Sequence, residues 1–150
     1  HNMFDNFAKH WKNLEAKNII SKDEFINATF TQHYRTVEEF IKPFDDPNSA
    51  VSKSGLVLNS YKTMFTDCPY KINYEKNKST MTSQDYANTL IPTMRSWSET
   101  VFKTALQNRN DQEINKIVDD FYNSYQDEVS SNPDGHAMDY IHIVMDIEKK

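Results

Sequence analysis

The 150-residue chain reads as an α+β protein in which several helices accompany one antiparallel strand pair. Three observations predict this class. Apolar residues recur at spacings of three and four near the N-terminus and again between residues 84 and 129, the period of helices that bury one face. Residues 140–147 alternate strictly, with Ile141, Ile143, Met145 and Ile147 on one side and Tyr140, His142, Val144 and Asp146 on the other, the period of a strand. Leu56–Thr66 is a second run rich in β-formers and bounded by turn residues.

Taken in order, Phe4, Phe7, Ala8, Trp11 and Leu14 place a helix from residue 4 to about residue 17, with Asn18 as its stop. Ser21-Lys-Asp-Glu24 reads as a capping box opening a short helix through Ile26. Thr36-Val-Glu-Glu39 opens another, which Pro43 closes. Residues 45–54, with Pro47, Asn48 and several serines, form a loop that Gly55 ends. Past the 56–66 strand, Pro69 interrupts, Tyr70 to Tyr74 reads as resumed extended structure, and the polar stretch to Ser83 is expected to be mobile. A long helix follows from Gln84 to Gln107, with Leu90, Met94, Trp97, Val101 and Ala105 on one stripe, Ile91 at its flank, and Pro92 kinking it or marking its start. Asp111 caps a further helix whose stripe is Ile114, Ile117, Val118, Phe121, Tyr122 and Tyr125, ending near Val129. Residues 130–135 turn into the last strand. Two strands alone make a poor sheet.

Composition excludes several functions. The chain has only two glycines, Gly55 and Gly135, far apart. A phosphate loop or dinucleotide fingerprint needs glycines in a fixed array, because backbone amides must approach the ligand without a Cβ in the way. Cys68 is the only cysteine, which rules out an intrachain disulfide framework and a cysteine zinc cluster and points to a reducing, cytoplasmic setting. A net charge of -5 with dispersed lysines argues against a nucleic-acid surface. No apolar run approaches the ~20 residues that span a bilayer, and no signal peptide is visible. His1-Asn2 before Met3 reads as the remnant of an expression tag.

Among candidate chemical groups, His136, Asp139 and His142 form an H-x-x-D-x-x-H spacing that invites a metal reading. Strand geometry opposes it, since Asp139 and His142 would point to opposite faces. Cys68 before Pro69 reads as a small buried hydrophobe. The pairs Asp45-Asp46 and Asp119-Asp120 read as solvated surface, because adjacent helical residues do not face one another. Arg95, beside Met94 on an apolar helix, calls for a carboxylate or carbonyl partner. Of the aromatics, most are core and a few could line a ligand pocket.

In this order the elements resemble the C-terminal part of the S-adenosylmethionine-dependent carboxyl methyltransferases of the SABATH type, the plant salicylic and jasmonic acid methyltransferase family. Lys17-Asn-Ile-Ile-Ser-Lys-Asp-Glu-Phe25 is similar to that family's Glu-Gly-Leu-Ile segment and the acidic residues after it, and His33-Tyr-Arg-Thr-Val-Glu-Glu-Phe-Ile41 to its Tyr-containing Glu-Glu-Val stretch. Ser54-Gly-Leu-Val-Leu stands where the family has Gly-Ser-Phe and an apolar strand. Thr93-Met-Arg-Ser-Trp-Ser-Glu99 resembles its Met-Arg-Ala-x-x-Glu-Pro helix, and Tyr140-Ile-His-Ile-Val-Met-Asp-Ile-Glu-Lys149 its terminal strand. Departures are Thr100 in place of the family's proline, Leu106-Gln107 in place of Phe-Gly, and an unusual insertion over residues 67–83.

The resemblance implies the C-terminal portion of a Rossmann-like α/β methyltransferase fold, residues 3–150 forming one segment with a helical substrate cap and the last sheet strands. It implies that Met94 and Tyr140 help enclose a small-molecule acceptor, with Trp97 and Phe4 beside them. No catalytic side chain, cofactor ligand or metal ligand is implied here. A carboxylate or hydroxyl oxygen would be held in line with the sulfonium methyl, so positioning matters more than acid-base work. S-adenosylmethionine would be held by an N-terminal cofactor-binding part of the parent protein, the segment's principal partner, and the segment alone is expected to be inactive. A rival reading is a noncatalytic helical interaction domain, including a homodimer. A metal hydrolase is a distant third.

Overall fold

Asn6, Phe7, His10, Trp11 and Leu14 line the buried face of the first helix, α1 (Met3–Ala16). The computed structural model describes residues 3–150, and His1 and Asn2, read above as a tag remnant, lie outside the described residues. Asn18 ends α1 as expected, its φ of 55° being one that asparagine tolerates better than most residues. Both capping boxes form. Ser21 and Glu24 open α2 (Lys22–Asn27), and Thr36 and Glu39 open α3 (Val37–Asp45). Pro43 does not close α3, which continues two residues beyond it. The expected 45–54 loop contains a four-residue helix, α4 (Ala50–Lys53), capped by Ser49.

Strand β1 (Leu56–Thr66) has the expected bounds. The extended structure expected at Tyr70 to Tyr74 is instead helix α5 (Pro69–Lys76). Pro69 occupies the first turn, where a missing N–H costs nothing and the fixed φ is already helical. Tyr74 then stacks on Tyr86, with ring centroids 5.0 Å apart. Helix α6 (Ser83–Ala105) runs through Pro92. Leu90, Ile91 and Met94 around the proline are all buried, so tertiary packing offsets the lost backbone bond. Asn110 caps α7 (Asp111–Ser131), and Asp111 is its first residue, one place from the expected cap. Strand β2 (Tyr140–Lys149) completes the chain.

The described residues are thus α+β, with seven helices and one two-stranded antiparallel sheet. They divide into two compact units. The first comprises residues 3–30 and 67–138, hence α1, α2, α5, α6 and α7. Its core is built on the pairing of α6 with α7. Gln84 meets Ser130, Asn88 meets Gln126, and Ser98 meets Tyr122, so the two helices run antiparallel.

The second unit comprises residues 31–66 and 139–150, hence α3, α4 and the β1/β2 ribbon. Phe65 pairs with Ile141, Thr63 with Ile143, and Tyr61 with Met145, and a bulge falls between Leu58 and Ser60. Cross-strand partners share a face, so the alternating row expected in β2 faces Phe65 and Tyr61 as well. This row stays open: Ile141 is 77% and Phe65 59% exposed. Gly55 enters β1 with φ 78°, and a Cβ there would lie 2.8 Å from the carbonyl oxygen of Lys150. Only glycine fits that approach without strain.

Candidate functional site

The candidate acceptor residues divide between the two units. Phe4, Met94 and Trp97 belong to the first and Tyr140 to the second. Tyr140 stacks on His142 of its own strand, with centroids 5.8 Å apart. Within the first unit, Phe4 from α1 and Trp97 from α6 meet edge to face at 6.2 Å. Met94, one turn before Trp97 and fully buried, belongs to the core. Trp97 and Val101 leave the expected α6 stripe. The buried positions are Leu90, Met94, Ser98, Phe102 and Ala105, and Trp97 is 37% exposed.

Phe30 was not among the expected residues and is central to the cluster. Its ring lies 5.2 Å from Phe4, 6.2 Å from Trp97 and 5.7 Å from Phe102, and it stacks on Phe7 at 5.7 Å with an interplanar angle of 10°. Its segment, just past α2, has no helical or strand period to announce burial. A cavity of about 100 Å³ opens among these rings, bordered by Phe4, Phe7, Ala8 and Trp11 of α1, by Phe25, Ala28 and Phe30, and by Phe102 of α6. No ionisable side chain lines it. Pockets for whole drug-sized ligands span roughly 300–1,000 Å³, so this cavity suits one ring or a short apolar chain.

Arg95 finds carboxylate partners, as its neighbourhood required. Its Nε is 3.0 Å from Glu99 Oε1 and its terminal nitrogen 2.7 Å from Asp119 Oδ1, while its guanidinium lies 5.2 Å from the Tyr122 ring centre. Asp119 is therefore an ion-pair partner on the surface. Beneath it, the Tyr122 hydroxyl meets Ser98 Oγ at 2.6 Å, and Ser98 Oγ also donates to the Met94 carbonyl at 2.6 Å. Burial pushes the Tyr122 phenol well above its ordinary range.

A second polar cluster joins α1, α7 and the segment after α7. His10 Nε2 lies 2.8 Å from Glu128 Oε2 and His136 Nε2 3.5 Å from Glu128 Oε1, and Lys9 donates to the same carboxylate. His10 Nδ1 is 3.1 Å from Ser124 Oγ, and His136 Nδ1 is 3.4 Å from Asn6 Nδ2. The Asn6 amide nitrogen can only donate, so His136 Nδ1 accepts and its Nε2 carries the proton. His10 Nε2 is close to the carboxylate without an aligned hydrogen bond to it. Both rings lie against Tyr125, at 5.0 and 5.6 Å. Burial lowers both imidazoles from their ordinary pKa, more than Glu128 raises them. For Tyr125 burial pushes the phenol up to about 12. An apolar periodicity cannot reveal this cluster, because residues 10, 128 and 136 meet only in three dimensions.

His136 thus belongs to the first unit and His142 to the second, and no group of three or more His, Cys, Asp or Glu side chains among the described residues is arranged to hold a metal ion. Cys68 is fully buried at the N-cap of α5. Among the described residues no helix is long and apolar enough to cross a membrane. Comparison with protein-family models and with curated proteins gives no match in either case.

Proposed function

We propose that this chain is the C-terminal substrate-cap segment of an S-adenosylmethionine-dependent O-methyltransferase acting on a small carboxylate or hydroxyl compound. The observation that carries the proposal is an aromatic cavity with no charged lining, bordered by Phe4, whose ring also meets that of Trp97 93 positions away. Such a cavity takes the apolar body of an acceptor and leaves its polar oxygen outside, where a methyl donor would have to reach it. The chain's own residues do not fit the cofactor. Gly55 and Gly135, both at positive φ, serve separate turns, and neither stands in a glycine array at a helix N-terminus. Binding of the cofactor is therefore assigned to another part of the parent protein, and the open β1/β2 ribbon offers strand edges for it.

The test has two arms. Titration calorimetry of the 150-residue chain should give no saturable binding of S-adenosylmethionine, and micromolar binding would sink the segment reading. The gene product that contains these residues should transfer methyl from S-adenosylmethionine to at least one member of a panel of small carboxylic acids and phenols. If it transfers none and sedimentation finds this chain as a stable dimer, the noncatalytic interaction domain is the better account.

A further inference from the structure

The cluster around Glu128 has a geometry that the acceptor reading leaves unused. We propose that His10, Glu128 and His136 form an acid-released latch that holds α1 against α7 and, through α1, holds one wall of the aromatic cavity in place. The latch stands on the geometry of the helical unit alone and is independent of the methyl-transfer reading.

One carboxylate serves three groups that can be cationic. At neutral pH, Lys9 balances the charge of Glu128, and the two imidazoles bring their Nε2 atoms to 2.8 and 3.5 Å from the same carboxylate. The surrounding groups come from every element packed on the pair. Lys9 is on α1, Glu128 and Tyr125 are on α7, and Tyr86 of α6 donates to the His136 carbonyl. Lys71 of α5 adds a further positive charge that acts on His136.

Protonating both rings would place two new cations beside a carboxylate already neutralised. The second proton on His136 would also set an N–H against the Asn6 amide N–H at 3.4 Å, a donor facing a donor. His10 is more tolerant, because the Ser124 hydroxyl can rotate to accept. Both rings are nearly excluded from water, His10 being 5% and His136 4% exposed. The charge therefore cannot be solvated without moving α1 or the 132–138 segment. The helix that carries Asn6, Lys9 and His10 also carries Phe4, Phe7, Ala8 and Trp11, four residues of the cavity wall. Loosening the latch therefore loosens the wall.

The sign follows from both imidazoles being lowered by burial. Their contribution to stability is fully present above the unfolded value of 6.5 and is lost as pH falls below it toward the folded values. The experiment is amide hydrogen exchange at pH 7 and pH 5, corrected for intrinsic rates, on the wild-type chain and on a His10→Gln, His136→Gln double variant. In the wild type, protection of residues 3–16 should fall about tenfold or more at pH 5 relative to α6, and the double variant should lack this selective loss. Unchanged α1 protection in the wild type, or the same loss in both proteins, would overturn the latch. If the double variant does not fold, NMR titration of the two wild-type rings decides: both should titrate below the same histidines in urea, and coincidence with the urea values defeats the proposal.

Discussion

Arg109 grips Glu24 with two nitrogens, Nε at 2.6 Å from Oε1 and a terminal nitrogen at 2.8 Å from Oε2, and so ties the start of α2 to the turn between α6 and α7. The same guanidinium reaches the Ile19 carbonyl at 2.9 Å, and the same carboxylate accepts from the Ser21 backbone to complete the capping box. One side-chain pair thus fixes the helix cap and the docking of α2, from which the chain runs on to Phe30.

Replacing Arg109 by alanine should destabilise the chain by about 1–2 kcal/mol, the range of a charge-assisted bidentate pair with one further hydrogen bond. Urea denaturation at pH 7 measures it. The hydrogen bonds from Arg109 are the largest cause holding Glu24 at about 2, against an ordinary 4.5. The pair's contribution is present above 4.5 and is lost as pH falls toward 2, so the gap between wild type and variant should narrow over that window. A gap independent of pH would contradict the assignment.

Ser98 and Tyr122 should respond unequally to loss of their shared bond. Tyr122→Phe leaves Ser98 donating to Met94 and should cost about 0.5–1.5 kcal/mol. Ser98→Ala leaves a buried phenol without that partner and should cost more, about 1–3 kcal/mol. A double-mutant cycle by thermal or urea unfolding gives the coupling, which should be favourable.

Gly55→Ala should destabilise the strand ribbon by about 1–2 kcal/mol, because it meets both a positive φ and a backbone carbonyl at 2.8 Å. Amide exchange should quicken in β1 and β2 and hold steady in α6 and α7. Uniform loss of protection would show that the two units do not unfold separately.

Trp97 and Trp11 make the cavity observable. Trp11 lines the cavity and is 2% exposed, whereas Trp97 packs on Phe4 beside it and is 37% exposed, so the cavity wall and its surroundings are reported by different indoles. A single-ring apolar carboxylate such as benzoate should quench the emission of a Trp97→Phe variant, which retains only Trp11 in the cavity wall, more than that of a Trp11→Phe variant. Equal quenching in both single-tryptophan variants would show that the ligand does not enter this cavity.

The capping boxes at Ser21 and Thr36 were legible because they are contacts between residues three apart, and β1 because its bounds are set by Gly55 and by the residues before Pro69. The same local reasoning missed α5, where Pro69 could end one element or begin another and only the stacking of Tyr74 on Tyr86 distinguishes them. It placed Trp97 on the core stripe of α6, since the true stripe passes through Ser98, a polar residue that apolar counting skips. Phe4, which the family resemblance places beside the acceptor, does border the cavity, whereas Trp97 only packs against it. Phe30 could not be named from the chain, because its burial comes from rings supplied by α1 and α6.

By itself the sequence determined the α+β class, most helix starts, both strands and their facing rows, and the exclusion of a glycine cradle, all of which depend on residues within a few positions of each other. The tertiary structure alone decided which aromatic rings surround the cavity, which carboxylates neutralise Arg95 and Arg109, and that His10 and His136 share Glu128. Those are meetings between positions as much as 118 apart, where burial and charge pairing act through space and leave no period along the chain.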